Sequence, residues 1–181
     1  MTQRAVLLQA LASTPRDVQR LLRMLPPDGW RWRPDGDGWS AQQVLDHLVG
    51  VETIYRARLQ RIRDNGRLAP AHLDAAPTSD PGPAEGLLEA FAATRRDTLA
   101  FLTDLSPGEW QRRAIDRRVN RAERDSQAAP TLRWQVMELM NHDLAHLGQL
   151  VDIRVKWEAS NGHHPTTSFN RDGAKDAKTI N

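Results

Sequence analysis

The sequence has no cysteine among its 181 residues. Disulfides, iron–sulfur clusters, thiolate zinc sites and cysteine nucleophiles are therefore excluded, and any metal ion must be bound by His, Asp or Glu. Long hydrophobic runs are also missing, so the sequence predicts neither a membrane span nor a secretion signal, and we expect a cytoplasmic protein. The formal net charge is only +2. Such a small excess does not indicate a nucleic-acid partner.

Helical periodicity dominates the sequence, and no alternating β-branched run indicates a sheet. The pattern predicts a first helix in two parts, of which the main part begins at a Thr14 N-cap and runs from about Pro15 to Leu25. Further helices are predicted over about 40–64, 84–105 and 132–157. Ser40 and Gln43 form a capping box at the start of the second helix, and Thr131 can cap the fourth.

Long connections separate the predicted helices at about 67–83 and 109–130, and the second of them is expected to carry a turn of helix or a hairpin. The hydrophobic content of 39% is sufficient for one core. Four long helices with two long connections are typical of an all-α four-helix bundle. We expect one domain over residues 1–158 and a loosely ordered polar tail over 159–181.

Three histidines point into this predicted bundle. At 100° per residue, His47 lies in the middle of the apolar stripe of the second helix, and His142 and His146 lie among the apolar residues of the fourth. Buried imidazoles without partners cost about 1–3 kcal/mol each, whereas one divalent metal ion would satisfy all three. Three protein ligands also leave a coordination position for water, as in catalytic zinc sites. For each residue, the alternative is a core histidine that hydrogen-bonds a carbonyl group.

Several side chains near the histidines are candidates for a substrate pocket. Asp143 could orient a histidine or lie beside the metal-bound water, or be a polar residue at the edge of the stripe. Arg58 could hold a carboxylate, although we favour an arginine that snorkels at the bundle edge. Trp39 could form a pocket wall with Trp30 and Trp32, but we favour packing of this connector over the bundle end. Gln135, Glu138 and Gln149 share the histidine face, with solvated helix positions as the alternative.

The fourth predicted helix carries a second apolar face, roughly opposite its histidines. A helix that is apolar nearly all round is buried on several sides. A homodimer interface would explain this face, and a central place in the bundle is the alternative. The residues of this face are Met140, Leu144, Leu147 and Val151.

The sequence resembles the DinB-like superfamily over roughly residues 5 to 157. The likeness is carried by Trp39-Ser40, His47-Leu48, Glu52 and the late run His142-Asp143-x-x-His146-x-x-Gln149. It implies a four-helix bundle with up-down-down-up connections and a nickel- or zinc-type ion on His47, His142 and His146. The superfamily includes metal-dependent hydrolases, bacillithiol transferases and the metal-binding domain of mycothiol-dependent maleylpyruvate isomerase. This sequence lacks that isomerase's appended domain, so we do not expect isomerisation.

We expect an enzyme whose metal ion activates a nucleophile toward a small-molecule substrate. The leading hypothesis is transfer of a low-molecular-weight thiol, as cosubstrate, to an electrophile. The second is hydrolysis of an amide or ester by metal-activated water. The third is a non-enzymatic, dimeric stress-response bundle.

Overall fold

The computed structural model describes residues 2–34, 36–66, 76–114 and 131–162. Apart from one isolated bridge between Arg113 and Thr131, the described residues are organised by helices only. Their bounds are α1 (Gln3–Arg23), α2 (Pro27–Arg31), α3 (Ala41–Asn65), α4 (Ala84–Asp104), α5 (Pro107–Trp110) and α6 (Leu132–Ser160). In this part of the chain, no helix carries an apolar stretch long enough for a bilayer crossing.

The local signals at the ends of α3 and α6 act as predicted. Ser40 Oγ accepts from the Gln43 amide at 3.2 Å, and Gln43 Oε1 accepts from the Ser40 amide at 3.1 Å. Gly66 ends α3 in the left-handed conformation, with φ 65°, which costs glycine little. The Thr131 side chain accepts from the amide of Trp134 at the start of α6. These caps confirm the predicted starts of both helices.

The predicted break in the first helix is wrong. α1 runs from Gln3 to Arg23 with Pro15 inside it, and its N-cap is Thr2 rather than Thr14. Pro15 has no amide proton, so the carbonyl of Leu11 loses its usual helical donor. That oxygen accepts instead from Nη1 of Arg95 on α4 at 3.1 Å. A tertiary hydrogen bond therefore replaces the missing helical one.

The connections are only partly covered by the described residues. The connector that carries Trp30 and Trp32 begins inside the short helix α2, and α5 spans the start of the predicted connection at 109–130. Residues 67–75, 115–130 and 163–181 lie outside the described residues. The predictions made for those parts of the two long connections and for the polar tail therefore stay predictions.

The four long helices form a bundle with up-down-down-up topology. Both α1 and α3 pack against α4 and α6. α3 and α4 run in the same direction, as do α1 and α6, whereas α1 and α4 are antiparallel. The side-chain hydrogen bonds that establish these directions are Gln42 to Pro81, Arg56 to Asp97, Thr14 to Asp143, Arg154 to Met24 and Arg4 to Leu102.

Two hydrophobic clusters fill the bundle. One includes Leu59, Trp110 and Leu132, and the other includes Leu45 and Ile153. Near the place where one cluster gives way to the other, each long helix contributes one buried polar side chain to a common layer. These are Thr14, Glu52, Arg95 and Asp143. This polar layer lies at the level of the histidines on α6.

Candidate metal centre

The structure brings together the three histidines selected from the sequence. His47 on α3 is buried, and His142 and His146 on α6 are partly buried. Nε2 of His142 lies 3.0 Å from Nε2 of His47 and 3.2 Å from Nε2 of His146. The three potential ligand atoms all lie within 4.8 Å of one another.

This donor geometry fits a metal ion. An imidazole nitrogen carries either a proton or a lone pair, so Nε2 of His142 cannot hydrogen-bond both neighbours. Nitrogen ligands about 2.0–2.1 Å from one ion, at tetrahedral or octahedral angles, lie roughly 2.9–3.4 Å apart. The two Nε2–Nε2 distances, 3.0 and 3.2 Å, fall in that range. A shared cation would use the lone pairs of all three rings.

Gln149 fixes the tautomer of His146. Its Oε1 lies 2.8 Å from Nδ1 of His146, and a carbonyl oxygen can only accept, so Nδ1 carries the proton. Nε2 is then left with the lone pair that a metal requires. The sequence placed Gln149 at a pocket wall, and this orienting role was missed. The signal for it is the i, i+3 spacing of His146 and Gln149 on one helix face.

The environment keeps the α6 histidines neutral. Burial, followed by the neighbouring His146, His47 and Arg95, lowers the pKa of His142 to about 4. Burial also lowers the pKa of His146, against the opposing effect of its hydrogen bond to Gln149. Metal binding requires neutral imidazole. Both rings are therefore in the binding-competent state at pH 7.

Trp39 covers the histidines, and the other two tryptophans of this region do not. The Trp39 ring stacks on His146 with centroids 6.1 Å apart and planes at 9°, and lies 4.9 Å from the ring of His47. The indole N–H of Trp30 donates to the carbonyls of Leu22 and Leu25. Trp32 packs against the hydrophobic cluster at this end of the bundle. Packing over the bundle end thus describes Trp30 and Trp32, whereas the Trp39 ring lies against two of the three histidines.

Arg58 and Tyr55 extend the polar lining of α3. Arg58 is only 7% exposed, so the favoured interpretation of a snorkelling arginine at the bundle edge is wrong. The ring of Tyr55, which the sequence did not single out, lies 6.2 Å from that of His142. Burial raises the pKa of Tyr55, with Arg58 opposing and Glu138 reinforcing the shift. Arg58 and the partly buried Glu138 are thus both near Tyr55.

The Asp143 carboxylate forms hydrogen bonds with Arg95 and Thr14 and none with the histidines of the metal centre. Its Oδ2 accepts from Arg95 Nη1 at 2.7 Å and from Thr14 Oγ1 at 3.1 Å, and its Oδ1 accepts from Arg95 Nη2 at 3.1 Å. The prediction that Asp143 orients a histidine is wrong, because both oxygens face the guanidinium. Since 143 is 100° from 142 around the helix, the two side chains point to different neighbours.

Arg95 is the centre of a buried network that joins all four long helices. Its Nε and Nη2 donate to the two oxygens of Glu52 at 3.0 and 2.7 Å. With the bonds to Asp143 and the Leu11 carbonyl, all five guanidinium N–H groups are used. Arg95 itself is 1% exposed. Nothing in the sequence singles out this residue, since an arginine on an amphipathic helix is usually solvated.

The network holds one positive and two negative groups. Burial lowers the pKa of Arg95, but Asp143 and Glu52 more than compensate, so the net pKa is raised. Burial raises the pKa of Asp143, and Glu52 adds to this because both carboxylates share one guanidinium. The Arg95 guanidinium therefore stays protonated, and its positive charge offsets the cost of burying the Glu52 and Asp143 side chains.

Fold and site together define a four-helix bundle with a three-histidine centre between two antiparallel helices. The family model described as the DinB superfamily matches residues 10–150, and the chain belongs to this family. Among solved structures, YfiT from Bacillus subtilis matches with a TM-score of 0.66 and 15% sequence identity over 90% of each chain. It is described as a probable metal-dependent hydrolase with an unusual four-helix bundle topology. No curated protein gives a significant sequence match.

Proposed function

We propose that this protein is a metal-dependent enzyme in which His47, His142 and His146 bind one divalent cation, nickel or zinc. The observation that carries the proposal is the position of His142 Nε2, which lies 3.0 Å from Nε2 of His47 and 3.2 Å from Nε2 of His146 in a cluster whose ligand atoms all lie within 4.8 Å of one another. Both distances suit nitrogen ligands of one ion, and a single imidazole nitrogen cannot make a full hydrogen bond to both neighbours. Membership of the DinB superfamily supports it. Three protein ligands leave at least one coordination position for a reactant.

The bound ion would supply Lewis acidity and would lower the pKa of a nucleophile in the open position. The chain's own residues prepare the site. Gln149 holds the His146 ring in one tautomer, and Trp39 shields His146 and His47 from solvent on one side. Because Asp143 is bound to Arg95, we do not assign it as the general base.

Water is the nucleophile we propose first, which makes the reaction hydrolysis of an amide or ester. The structurally similar YfiT, described as a probable metal-dependent hydrolase, supports this choice over the thiol transfer that ranked first from the sequence. Thiol transfer is the second candidate. Because the chain has no cysteine, the thiol would be a separate cosubstrate and would appear in the product.

Reconstitution separates these reactions. Metal-free protein, purified without an affinity tag, is assayed against a panel of activated amides, esters and alkyl halides before and after addition of zinc or nickel. Hydrolysis that appears only with metal and needs no thiol is the expected result. Asn141→Ala, an exposed neighbour of His142, should retain this activity, whereas His142→Ala should lose it.

Other outcomes of this assay are equally informative. Turnover that requires an added low-molecular-weight thiol would replace the hydrolase proposal with thiol transfer. Metal-loaded protein that is inactive toward every substrate class, with or without thiol, would contradict both and favour the non-enzymatic bundle.

We also propose that two copies pair through the outer face of α6. Leu144 and Val155 are each 57% exposed and Val151 is 45% exposed, and they lie at helical spacing on one side of the helix. Met140 and Leu147, which the sequence also assigned to this face, are instead partly buried against the two hydrophobic clusters. Gly148, in the middle of this stripe, has no side chain, and no neighbouring side chain lies within 4 Å of where its Cβ would be, so a second helix can approach closely there. A symmetric pair would bury the same stripe from both copies.

A charge on the stripe is expected to break the pair. Leu144→Arg should convert a dimer into a monomer, because the pair would bury two unpaired guanidinium groups. Ala100→Arg is the matched control, since it places the same charge at an exposed position of α4, diagonally across the bundle. Sedimentation velocity gives the readout. A wild-type monomer at all concentrations would contradict the proposal.

A further inference from the structure

Arg95 links the two helices that carry the three histidines. α4 and α6 each pack against α1 and α3, so they lie diagonally across the bundle from each other. The Arg95 side chain nevertheless reaches Asp143 on α6, at 2.7 and 3.1 Å. It also binds Glu52 on α3, at 2.7 and 3.0 Å. One rigid guanidinium plane therefore holds a carboxylate from α3 and a carboxylate from α6.

These two carboxylates stand close to the histidines along their helices. Asp143 follows His142 directly, and Glu52 follows His47 by five residues (52 − 47), a rise of about 7.5 Å. Around their helices, the acids point about 100° and 140° away from those histidines, toward Arg95. The network therefore acts on the histidines through the backbones of α3 and α6.

A metal centre tolerates little error in the spacing of its ligands. Ligand distances in well-formed protein sites keep to within about 0.2 Å of their standard values. His142 and His146 lie one turn apart on the same helix, whose own geometry sets their spacing. His47 comes from another helix, and its Nε2 lies 3.0 Å from that of His142. This distance depends on how α3 and α6 are aligned.

Without the guanidinium, the two acids would oppose that alignment. Glu52 and Asp143 are only 1% and 2% exposed, so water screens the repulsion between their charges poorly. Arg95 replaces this repulsion by charged hydrogen bonds, which have preferred directions as well as strength. The guanidinium therefore fixes both the separation and the relative level of α3 and α6 in this layer.

We propose that Arg95 is a positioning residue for the metal centre. Through Glu52 and Asp143 it holds α3 and α6 at the separation at which His47 can share an ion with the histidines of α6. This inference deepens the proposed metal-dependent function and rests on it. Because Arg95 acts through the helices, its effect is expected in the affinity and the coordination geometry of the site.

The test compares the zinc affinities of full-length variants by competition with a chromophoric chelator. Arg95→Lys keeps a positive charge between the acids, but an ammonium group cannot form the planar bridge to two carboxylates. Glu52→Gln leaves Arg95 bound to Asp143 and weakens the link to α3. Each variant should bind zinc about 10- to 100-fold more weakly than the wild type, a loss typical for groups that orient metal ligands.

Leu102→Ala is the matched control for a general loss of stability. Leu102 is fully buried on α4, two turns after Arg95, and its truncation leaves a cavity that lowers the melting temperature. It leaves the ionic layer intact, so this variant should bind zinc like the wild type.

The visible spectrum of bound Co²⁺ adds a readout of coordination geometry. Its bands should change in Arg95→Lys and Glu52→Gln and stay the same in Leu102→Ala. If Arg95→Lys does not fold, Glu52→Gln decides the question. Wild-type zinc affinity in a folded variant of the ionic layer, or an equal loss of affinity in Leu102→Ala, would overturn the proposal.

A measurement without metal keeps this proposal apart from the proposed function. The ring centroids of His47 and His142 lie 5.1 Å apart, so metal-free wild-type protein should give nuclear Overhauser cross-peaks between the two rings. Loss of these cross-peaks in Arg95→Lys, with a wild type that takes up no zinc, would overturn the metal-dependent function and leave the positioning role. Zinc uptake by the wild type, with cross-peaks and affinity unchanged in the variants, would overturn the positioning role and leave the metal centre.

Discussion

Replacing both α6 histidines by alanine is expected to abolish metal binding. Wild-type protein should hold about one zinc or nickel ion per chain, and the His142→Ala/His146→Ala variant should hold none, because one remaining imidazole cannot compete with water and buffer for the ion. Elemental analysis of untagged, desalted protein measures this directly. The variant should still fold, since removal of two neutral, partly buried rings leaves both hydrophobic clusters intact.

Two controls make this result interpretable. Asn141→Ala is the exposed neighbour on the same helix and should keep one ion per chain. The circular dichroism spectrum and melting temperature of the metal-free variant should match those of the metal-free wild type. One ion per chain in the double variant would contradict the assignment of the site, as would a wild-type protein that takes up no zinc or nickel.

Arg95→Met is expected to lower the free energy of unfolding by about 3–5 kcal/mol, because it leaves Glu52 and Asp143 buried without their cation. A loss of that size is a large part of the roughly 5–15 kcal/mol that stabilises a typical domain. The Leu11 carbonyl, already without a helical donor beside Pro15, would lose its partner as well. Urea denaturation followed by circular dichroism gives the measurement.

Neighbouring and compensating changes test the cause of this loss. Arg96→Met, the same substitution at the next and exposed position of α4, should change the stability by less than about 0.5 kcal/mol. Adding Glu52→Gln and Asp143→Asn to Arg95→Met should recover part of the loss, because the neutral amides no longer bury unpaired charge. Equal effects of the substitutions at 95 and 96 would contradict a buried ionic network.

Most of the fold follows from local and periodic signals in the sequence. The Ser40–Gln43 capping box and the Thr131 cap set the starts of α3 and α6 through contacts made within a few residues. The three histidines were found in the same way, because a helix wheel shows which side chains leave one face. The resemblance to the DinB-like superfamily added the up-down-down-up order of the helices and named the same three residues.

The errors lie where a distant partner overrides a local rule. Pro15 normally interrupts a helix, yet α1 continues because the Arg95 guanidinium, 80 residues further along the chain (95 − 15), binds the carbonyl that proline leaves free. Asp143 is next to a histidine in the sequence, but in the structure its carboxylate forms a salt bridge with Arg95. Arg58 resembles a solvated arginine in sequence and is buried in the structure.

The sequence by itself determined that the protein is helical, that any metal must be bound by His, Asp or Glu, and which three histidines share the inner faces of two helices. Those properties depend on residue chemistry and on the 3.6-residue period, which act over a few residues. Only the tertiary structure decided the Nε2 distances and the Arg95 network. Each of these depends on how neighbouring helices align. A hydrogen bond between two helices does not produce a repeating pattern of residue types, so it cannot be read from the sequence.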